Sequence, residues 1–187
     1  MAEPRPLPLD PIGEAHRQWV QHGWGDVADG MAAVTSLVRA QQIVMARVDE
    51  ALRPSGLTFS RYELLMLLSF SKTGALPMAL ASARLQVHPT SVTNTVDRLE
   101  AAHLVQRVPH PSDRRATLIE ITDAGRELVA EATAELNATV FAHPGLTPDR
   151  LRSLLSVLAE FRSAAGDFDS DVKPSRWDPT DTSAASS

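Results

Sequence analysis

The chain has 187 residues, a formal net charge of −5 at neutral pH and no cysteine. That length predicts one domain with tails, and the lack of cysteine excludes disulfides, thiolate metal sites and a cysteine-based redox switch. No apolar run reaches the ~18 residues of a membrane span, and the first residues lack a secretion-signal pattern, so we expect a cytoplasmic protein without a membrane partner.

The N-terminal region predicts a tail followed by an arm. Residues 1–12 are rich in proline, which favours an extended or disordered segment. Residues 13–25 predict a short helix that carries Trp19, with Trp24 near its end. We interpret this arm as a helix that packs onto the body of the protein, and a wall of a ligand pocket is the alternative.

A long amphipathic helix is predicted from Asp26 to Arg53. Its apolar stripe recurs at helical spacing and consists of Val34, Leu37, Val38, Gln41, Val44, Met45, Val48 and Leu52. Because a helix this long cannot bury its whole length in one small domain, we expect the stripe also to contact a partner chain.

The next segment predicts three helices. Thr58–Ser71 is apolar on nearly all sides and predicts a central helix, with Ser60 and Glu63 at the spacing of a capping box. Pro77–Leu85 predicts a short helix, and the turn Gln86-Val87 leads into another. Two short helices joined by a tight turn, the second polar on its outer face, are typical of a helix-turn-helix.

The second of these short helices has the character of a recognition helix. Pro89 suits the first helical position, with His88 as the N-cap, while Val92, Val96 and Leu99 face inward. The outer face carries short side chains and one arginine, namely Thr90, Ser91, Thr93, Asn94, Asp97 and Arg98. These suit base edges and phosphates in the major groove, and a solvated helix face is the alternative.

A β-hairpin is predicted directly after this helix. Leu104–Val108 and Ala116–Ile121 predict short strands. The loop between them carries Asp113, Arg114 and Arg115. Residues 86–115 hold four arginines against three acidic residues, so this part is net positive although the whole chain is negative. A recognition-type helix that runs into a hairpin with arginines indicates a DNA-reading head with a basic wing.

Two further helices and an acidic tail complete the chain. Thr122 is predicted to cap the first helix, and Thr147-Pro148 begins the second. The apolar stripe of the last helix is Leu151, Leu154, Leu155, Leu158 and Phe161. From Gly166 the chain is acidic and rich in Ser, Thr and Pro, which predicts disorder.

Three segments together resemble the MarR family of bacterial transcriptional regulators: LTFSRYELLMLL, RLQVHPTSVTNTVDRLEAAHLVQR and PSDRRATLIEITDAGREL. The resemblance spans residues 57–128 and, by helix pattern, about 26–165. It implies a mainly α fold with a small β-hairpin wing, in which winged helix-turn-helix subunits form an obligate homodimer through long helices. The implied domains are a disordered N-terminal tail (1–12), an arm and first dimerisation helix (13–53), a DNA-binding region (54–122), C-terminal dimerisation helices (123–165) and a disordered acidic tail (166–187).

The resemblance also implies site residues. The residues expected to contact double-stranded DNA are His88, Thr90, Ser91, Thr93, Asn94, Arg98, Arg114 and Arg115, with Asp113 supporting the wing. One departure is His103, because the family usually has a Gly there, which suits a left-handed helix end. The tryptophan arm is similar to that of the urate-responsive subgroup, in which an acidic ligand residue falls near Glu63 and a ligand-contacting Arg near Thr95.

The sequence therefore predicts a ligand-responsive, DNA-binding regulator associated with the nucleoid. We expect a repressor that binds a palindromic operator as a homodimer. A small anionic aromatic or acyl effector is expected to release it from the operator. The candidate effector residues are Trp19, Arg39, Glu63, Met66 and Phe70. We expect no cofactor and no metal. We also expect no catalysis, because the one candidate catalytic acid, Asp113, lies beside two arginines and more simply pins one of them by a charge-assisted hydrogen bond. A winged-helix protein–protein adaptor is the alternative.

Overall fold

The computed structural model describes residues 7–110 and 117–168. Its helices and strands, in chain order, are α1 (Pro11–Gln21), α2 (Gly25–Leu52), α3 (Phe59–Ser69), β1 (Ala75–Pro77), α4 (Met78–Leu85), α5 (Pro89–Ala101), β2 (Val105–Pro109), β3 (Thr117–Ile121), α6 (Asp123–Leu136) and α7 (Pro148–Ala164). A 3-10 turn, Arg53–Ser55, follows α2, and a π-helical turn, Asn137–Phe141, follows α6. The predicted fold class, mainly helical with a small β-sheet wing, is confirmed.

The chain divides into two compact units, residues 1–140 and residues 141–187. The first unit contains α1 to α6 and the sheet, and the second contains α7. Along the described residues, no helix combines the length and the apolar character that crossing a bilayer would require.

α3 is the central helix of the first unit, as predicted. It packs against α5, α6 and β3, since apolar side chains cover most of its circumference. The largest fully buried side chains of the core are Leu52, Leu64, Leu65, Leu68, Leu99, Ile119, Leu136, Val92, Val96 and Val105. Because each buried side chain of this size contributes about 1.5–3 kcal/mol, this cluster holds the head together.

The start of α3 differs from the prediction. Thr58 is the N-cap residue, and no side-chain bond caps the helix. The Thr58 and Ser60 hydroxyls instead hydrogen-bond to each other at 3.2 Å. The predicted capping box of Ser60 and Glu63 is therefore wrong, because Ser60 already lies inside the first turn.

The sheet has one strand more than the sequence predicted. The strand order is β1-β3-β2, and both pairings are antiparallel. The predicted hairpin is present as β2 and β3, with Arg107 opposite Ile119. β1 adds a third strand through the pair Leu76 and Ile119. It anchors the base of the wing to the loop after α3.

The arm helix α1 begins earlier and ends earlier than expected. Pro11 occupies its first turn, and the Asp10 carboxylate accepts a 3.0 Å hydrogen bond from the Ile12 N–H. The last two residues of the predicted 1–12 tail are thus helical, because aspartate followed by proline is a favourable helix start. α1 packs on α2, as expected for the arm.

The predicted stripes of α2 and α7 remain largely uncovered. At its C-terminal end α2 buries Val48, Ala51 and Leu52, and nearer its start it buries Ala28. Most of the remaining apolar side chains of α2 are 41–63% exposed, namely Val27, Val34, Leu37, Val38, Ile43 and Val44. In the second unit α7 has no buried residue, and Val157 and Phe161 are more than 60% exposed.

Candidate nucleic-acid interface

The recognition helix α5 begins at the predicted residue with the predicted cap. His88 Nδ1 accepts a hydrogen bond from the Thr90 N–H at 3.3 Å, and Pro89 fills the first turn. Only a neutral imidazole has a ring nitrogen that can accept, so the cap depends on the uncharged ring. The His88 side chain therefore caps the start of α5 and is also exposed at the surface of the protein.

The two faces of α5 divide as predicted. Val92, Val96 and Leu99 are at most 1% exposed. The predicted contact residues of this helix are all exposed: Thr90, Ser91, Thr93, Asn94 and Arg98. Thr93 Oγ1 donates to the Pro89 carbonyl at 3.0 Å, which leaves its lone pairs as acceptors. Within the described part of the chain, no hydrogen bond restrains the side chain of Asn94 or of Arg98, so both side chains are available to a ligand in front of the helix.

The joint between α5 and the wing is a Schellman turn with histidine in the left-handed position. His103 has φ 58°, its N–H bonds the Glu100 carbonyl at 2.9 Å, and the Leu104 N–H bonds the Leu99 carbonyl at 3.0 Å. The Thr122 hydroxyl donates to the His103 carbonyl at 2.9 Å. Histidine thus adopts a left-handed conformation that favours glycine, at a cost in backbone strain.

Close backbone packing fixes this joint to α6. A side chain at Gly125 would collide with the backbone carbonyl of Leu104 and with Ile121. The Thr122 N–H also bonds the Leu104 carbonyl at 3.1 Å. The end of the recognition helix, the start of the wing and the start of α6 therefore move as one piece.

The tip of the wing carries three of the predicted site residues, Asp113, Arg114 and Arg115, and all three lie outside the described residues. The stem of the wing is described, and Gln106 Nε2 donates to Glu120 Oε2 across the hairpin at 2.7 Å.

Sequence reasoning missed Arg107, which lies on β2 and reaches the recognition helix. Its Nη2 bonds Asp97 Oδ1 at 2.5 Å, and its Nη1 pairs with the Glu100 carboxylate. The Glu100 carboxylate also accepts the Arg107 backbone N–H at 3.1 Å. The hydrogen bond to Asp97, aided by the charge of Glu100, raises the pKa of Arg107. The sequence signal that could have indicated this contact is a pair of carboxylates, Asp97 and Glu100, three residues apart on one helix and followed by an arginine on the next strand.

The candidate effector residues lie in different surroundings. Trp19 is half-buried, and its ring and that of Trp24 form an edge-type pair with 5.4 Å between centroids. Arg39 is exposed and donates to Gln42 Oε1 at 3.2 Å. Met66 accepts a 3.2 Å hydrogen bond from Thr133 of α6.

The other two candidates are both on α3 or at its end. Phe70 is 78% exposed. Glu63 borders a cleft of about 100 Å³ behind the recognition helix, lined by Ser60, Glu63, Leu64, Leu85, Val87, Ser91, Val92 and Thr95. Although much of the Glu63 side chain is exposed, the apolar walls remove part of its hydration and raise the pKa of its carboxyl. Of the five candidates, Glu63 alone lines this cleft, which Thr95 also lines.

Comparison with known proteins agrees with this geometry. Residues 55–116 match the model of the MarR family. YhbI, an HTH-type transcriptional regulator of Bacillus subtilis, is 31% identical over 84 residues, and the match spans 53% of its length. The crystal structure of Sco5413, a MarR family transcriptional regulator from Streptomyces coelicolor, is 50% identical with a TM-score of 0.68, and the match covers 75% of this chain and 98% of that one.

The chain belongs to the MarR family. As a member of this family of transcriptional regulators with a winged helix-turn-helix DNA-binding fold, it is not an enzyme. Another solved relative is the repressor CouR, which has been solved with a 23-mer DNA duplex at 27% identity and a TM-score of 0.63, covering 67% of this chain and 89% of CouR. CouR from Rhodococcus jostii RHA1 has also been solved with p-coumaroyl-CoA, at 30% identity and a TM-score of 0.59, covering 69% of this chain and 88% of CouR.

Proposed function

We propose that this MarR-family chain is a homodimeric repressor that binds a near-palindromic operator and is released by a small effector. The observation that carries the proposal is α5 itself, because a rigid helix that is capped at both ends presents short, exposed polar side chains beside a hairpin. The solved DNA complex of CouR adds support.

The homodimer is inferred from the uncovered stripes. Val34, Leu37 and Val38 are 41–63% exposed along one stretch of α2. Contiguous apolar surface of this kind is typical of a subunit interface. A two-fold dimer presents two recognition helices to half-sites about one helical turn, or ~10 bp, apart. A stable monomer in light scattering at micromolar concentration would contradict this inference.

The DNA contacts divide into base reading and backbone positioning. Thr90, Ser91 and Asn94 read base edges, because their groups both donate and accept. Arg98 contacts phosphate or a base, and Thr93 and His88 lie near the phosphate backbone.

For the wing we propose that Arg114 enters the minor groove while Asp113 holds Arg115 in place. A narrow A·T-rich minor groove concentrates negative potential and so attracts an inserted arginine. The charge-assisted bond between a carboxylate and an arginine would fix the neighbouring side chain.

The proposed effector is an anionic aromatic or acyl compound. The complex of CouR with p-coumaroyl-CoA supports this class. Trp19, Met66 and Phe70 offer apolar surface, Arg39 offers positive charge and Glu63 offers an acceptor. The dimer would have two forms that differ in the spacing between its two DNA-binding heads. By binding the form whose spacing mismatches the operator, the effector would shift the population away from the DNA-binding form.

DNA binding is tested by selecting bound fragments from the source genome and titrating the selected operator at several salt concentrations. We expect log K to fall linearly with log salt concentration, because phosphate contacts release counterions. If no duplex is bound and the salt dependence is absent, the chain is a protein–protein adaptor instead.

Effector release is tested on the same operator with p-coumaroyl-CoA and free p-coumarate as probes. Trp19→Ala and Arg39→Ala should each blunt the release, while Arg53→Ala, an exposed arginine just after the same long helix, should not. Parent-like release in both test variants would place the effector site elsewhere.

A further inference from the structure

One arginine of the wing stem is bound to two carboxylates of the recognition helix. Arg107 offers separate guanidinium nitrogens to Asp97 and to Glu100, and its backbone N–H bonds Glu100 as well. The fork geometry of a guanidinium permits this double engagement, which a lysine ammonium does not reproduce. The three side chains therefore form one connected unit across two elements.

This unit balances charge that α5 cannot balance alone. Asp97 and Glu100 lie three residues apart, so they share a helix face and repel each other. The Arg107 side chain is 31% exposed, against 55% for Asp97 and 37% for Glu100. Because the unit is partly shielded from solvent, its ion pairs are screened less than free surface pairs. Without Arg107, two uncompensated carboxylates would remain on the helix that approaches DNA.

Arg107 connects the wing to the recognition helix at a point beyond the turn that joins them. Only His103 and Leu104 separate the last residue of the α5 cap, Ala102, from β2, and Arg107 is the third residue of that strand. The Schellman turn fixes the two elements at their joint, whereas Arg107 connects them further along. A second attachment point sets the angle between helix and hairpin.

We propose that Arg107 is a positioning residue for DNA recognition, holding the wing at a fixed angle to the recognition helix and masking Asp97 and Glu100 from the phosphates. It acts through these two carboxylates and does not itself contact phosphate. The inference rests on the DNA-binding function proposed above, and goes beyond it by assigning wing support to the stem of the hairpin.

A charge-neutral pair of substitutions separates this role from simple electrostatics. Asp97→Asn with Arg107→Gln removes one charge of each sign, so the net charge of the chain is unchanged. Residues in one ion-pair network are energetically coupled, so the loss of two of its three members removes the contact between the elements and not only two charges. We therefore expect operator affinity to fall about tenfold, the equivalent of about 1.4 kcal/mol. Binding to a random duplex should change less than about threefold, because non-specific binding needs no fixed register.

The salt dependence and a neighbouring residue supply the controls. The slope of log K against log salt should stay at the parent value, whereas loss of one phosphate contact lowers it by about 0.9. Gln106→Ala removes a side-chain bond to Glu120 across the hairpin, a contact that does not involve α5. Its operator affinity should stay within about twofold of the parent, because the contact between the wing and the recognition helix is kept. Thermal unfolding of each variant shows whether an affinity loss merely follows a stability loss.

Three results would overturn the proposal. Equal weakening on operator and random duplex with a reduced salt slope would make Arg107 a phosphate contact. Parent-like operator affinity in the double variant would show that Arg107 has no positioning role. A loss of operator affinity that merely follows a lower unfolding temperature would show the same. If the double variant fails to fold, Arg107→Lys is measured in its place, because it keeps the charge but loses the fork geometry of the guanidinium. It must then show a smaller loss of affinity that is again selective for the operator. The parent is titrated first, because failure of the parent to bind any duplex refutes the DNA-binding function itself.

Discussion

Thr122 joins three parts of the DNA-binding region, and its replacement by alanine tests how the joint is held. The Thr122 hydroxyl oxygen accepts the Gly125 N–H at 3.1 Å, which caps α6. The same hydroxyl donates to the His103 carbonyl at 2.9 Å, at the end of α5. Thr122→Ala removes both bonds and leaves the packing of the backbone unchanged.

The expected loss can be estimated from the two bonds. Replacing an N-cap threonine by alanine costs typically about 1 kcal/mol. A hydrogen bond whose carbonyl partner remains in place is worth about 1 kcal/mol more. The variant should therefore lose about 2 kcal/mol, which for a domain of this size lowers the unfolding midpoint by roughly 4–8 °C.

Urea and thermal denaturation at one fixed protein concentration measure this loss, because the midpoint of an associating protein depends on concentration. Thr122→Ser keeps the hydroxyl and serves as the control, with an expected loss below about 0.5 kcal/mol. An alanine variant as stable as the serine variant would show that water replaces both bonds and would refute the estimate.

Three further outcomes are expected. His103→Gly should raise stability by about 0.5 kcal/mol in urea titration, because relief of a left-handed conformation, about 1 kcal/mol, exceeds the added entropy of the unfolded chain; a lower midpoint would contradict the strain at φ 58°. The raised pKa of Glu63 means that its contribution to stability is present at acid pH, below the ordinary carboxyl pKa, and is lost as pH rises through the folded-state pKa. Glu63→Gln should therefore gain stability relative to the parent as pH increases from 4 toward neutrality, and a parallel pair of pH–stability curves would exclude the desolvation effect. Asn94→Ala should relax preference at one position per half-site, with a loss of about 1–3 kcal/mol for a good base contact; equal weakening on operator and random duplex in competition titrations would assign Asn94 to the backbone.

The recognition helix could be predicted from sequence because its signals are local. Proline at the first position, inward Val92 and Val96, and short outward side chains all lie within about four turns, so helical periodicity captures them. The hairpin follows for the same reason, since its strands are adjacent in the chain. His103 was identified as a departure, and the left-handed φ shows that the chain keeps the turn and accepts the strain.

Contacts between distant segments could not be predicted in the same way. β1 has three residues, ends in proline and pairs with β3 more than forty residues later, so neither length nor alternation marks it as a strand. Arg107 reads as an ordinary polar residue of an exposed strand until the fold brings Asp97 and Glu100 beside it. The cleft at Glu63 likewise requires side chains from α3, α4 and α5 together.

The length of α2 has a mechanical consequence. Its 28 residues make a rod about 42 Å long, and only its last turns are buried firmly in the core, at Val48, Ala51 and Leu52. A rotation of about 5° about that end would move the far end by roughly 4 Å. An atom about 5 Å from the pivot moves only about 0.4 Å in the same rotation. In a rotation of this kind, a sub-ångström rearrangement of side chains near the buried end of α2 would correspond to a displacement of several ångströms at the other end of the rod.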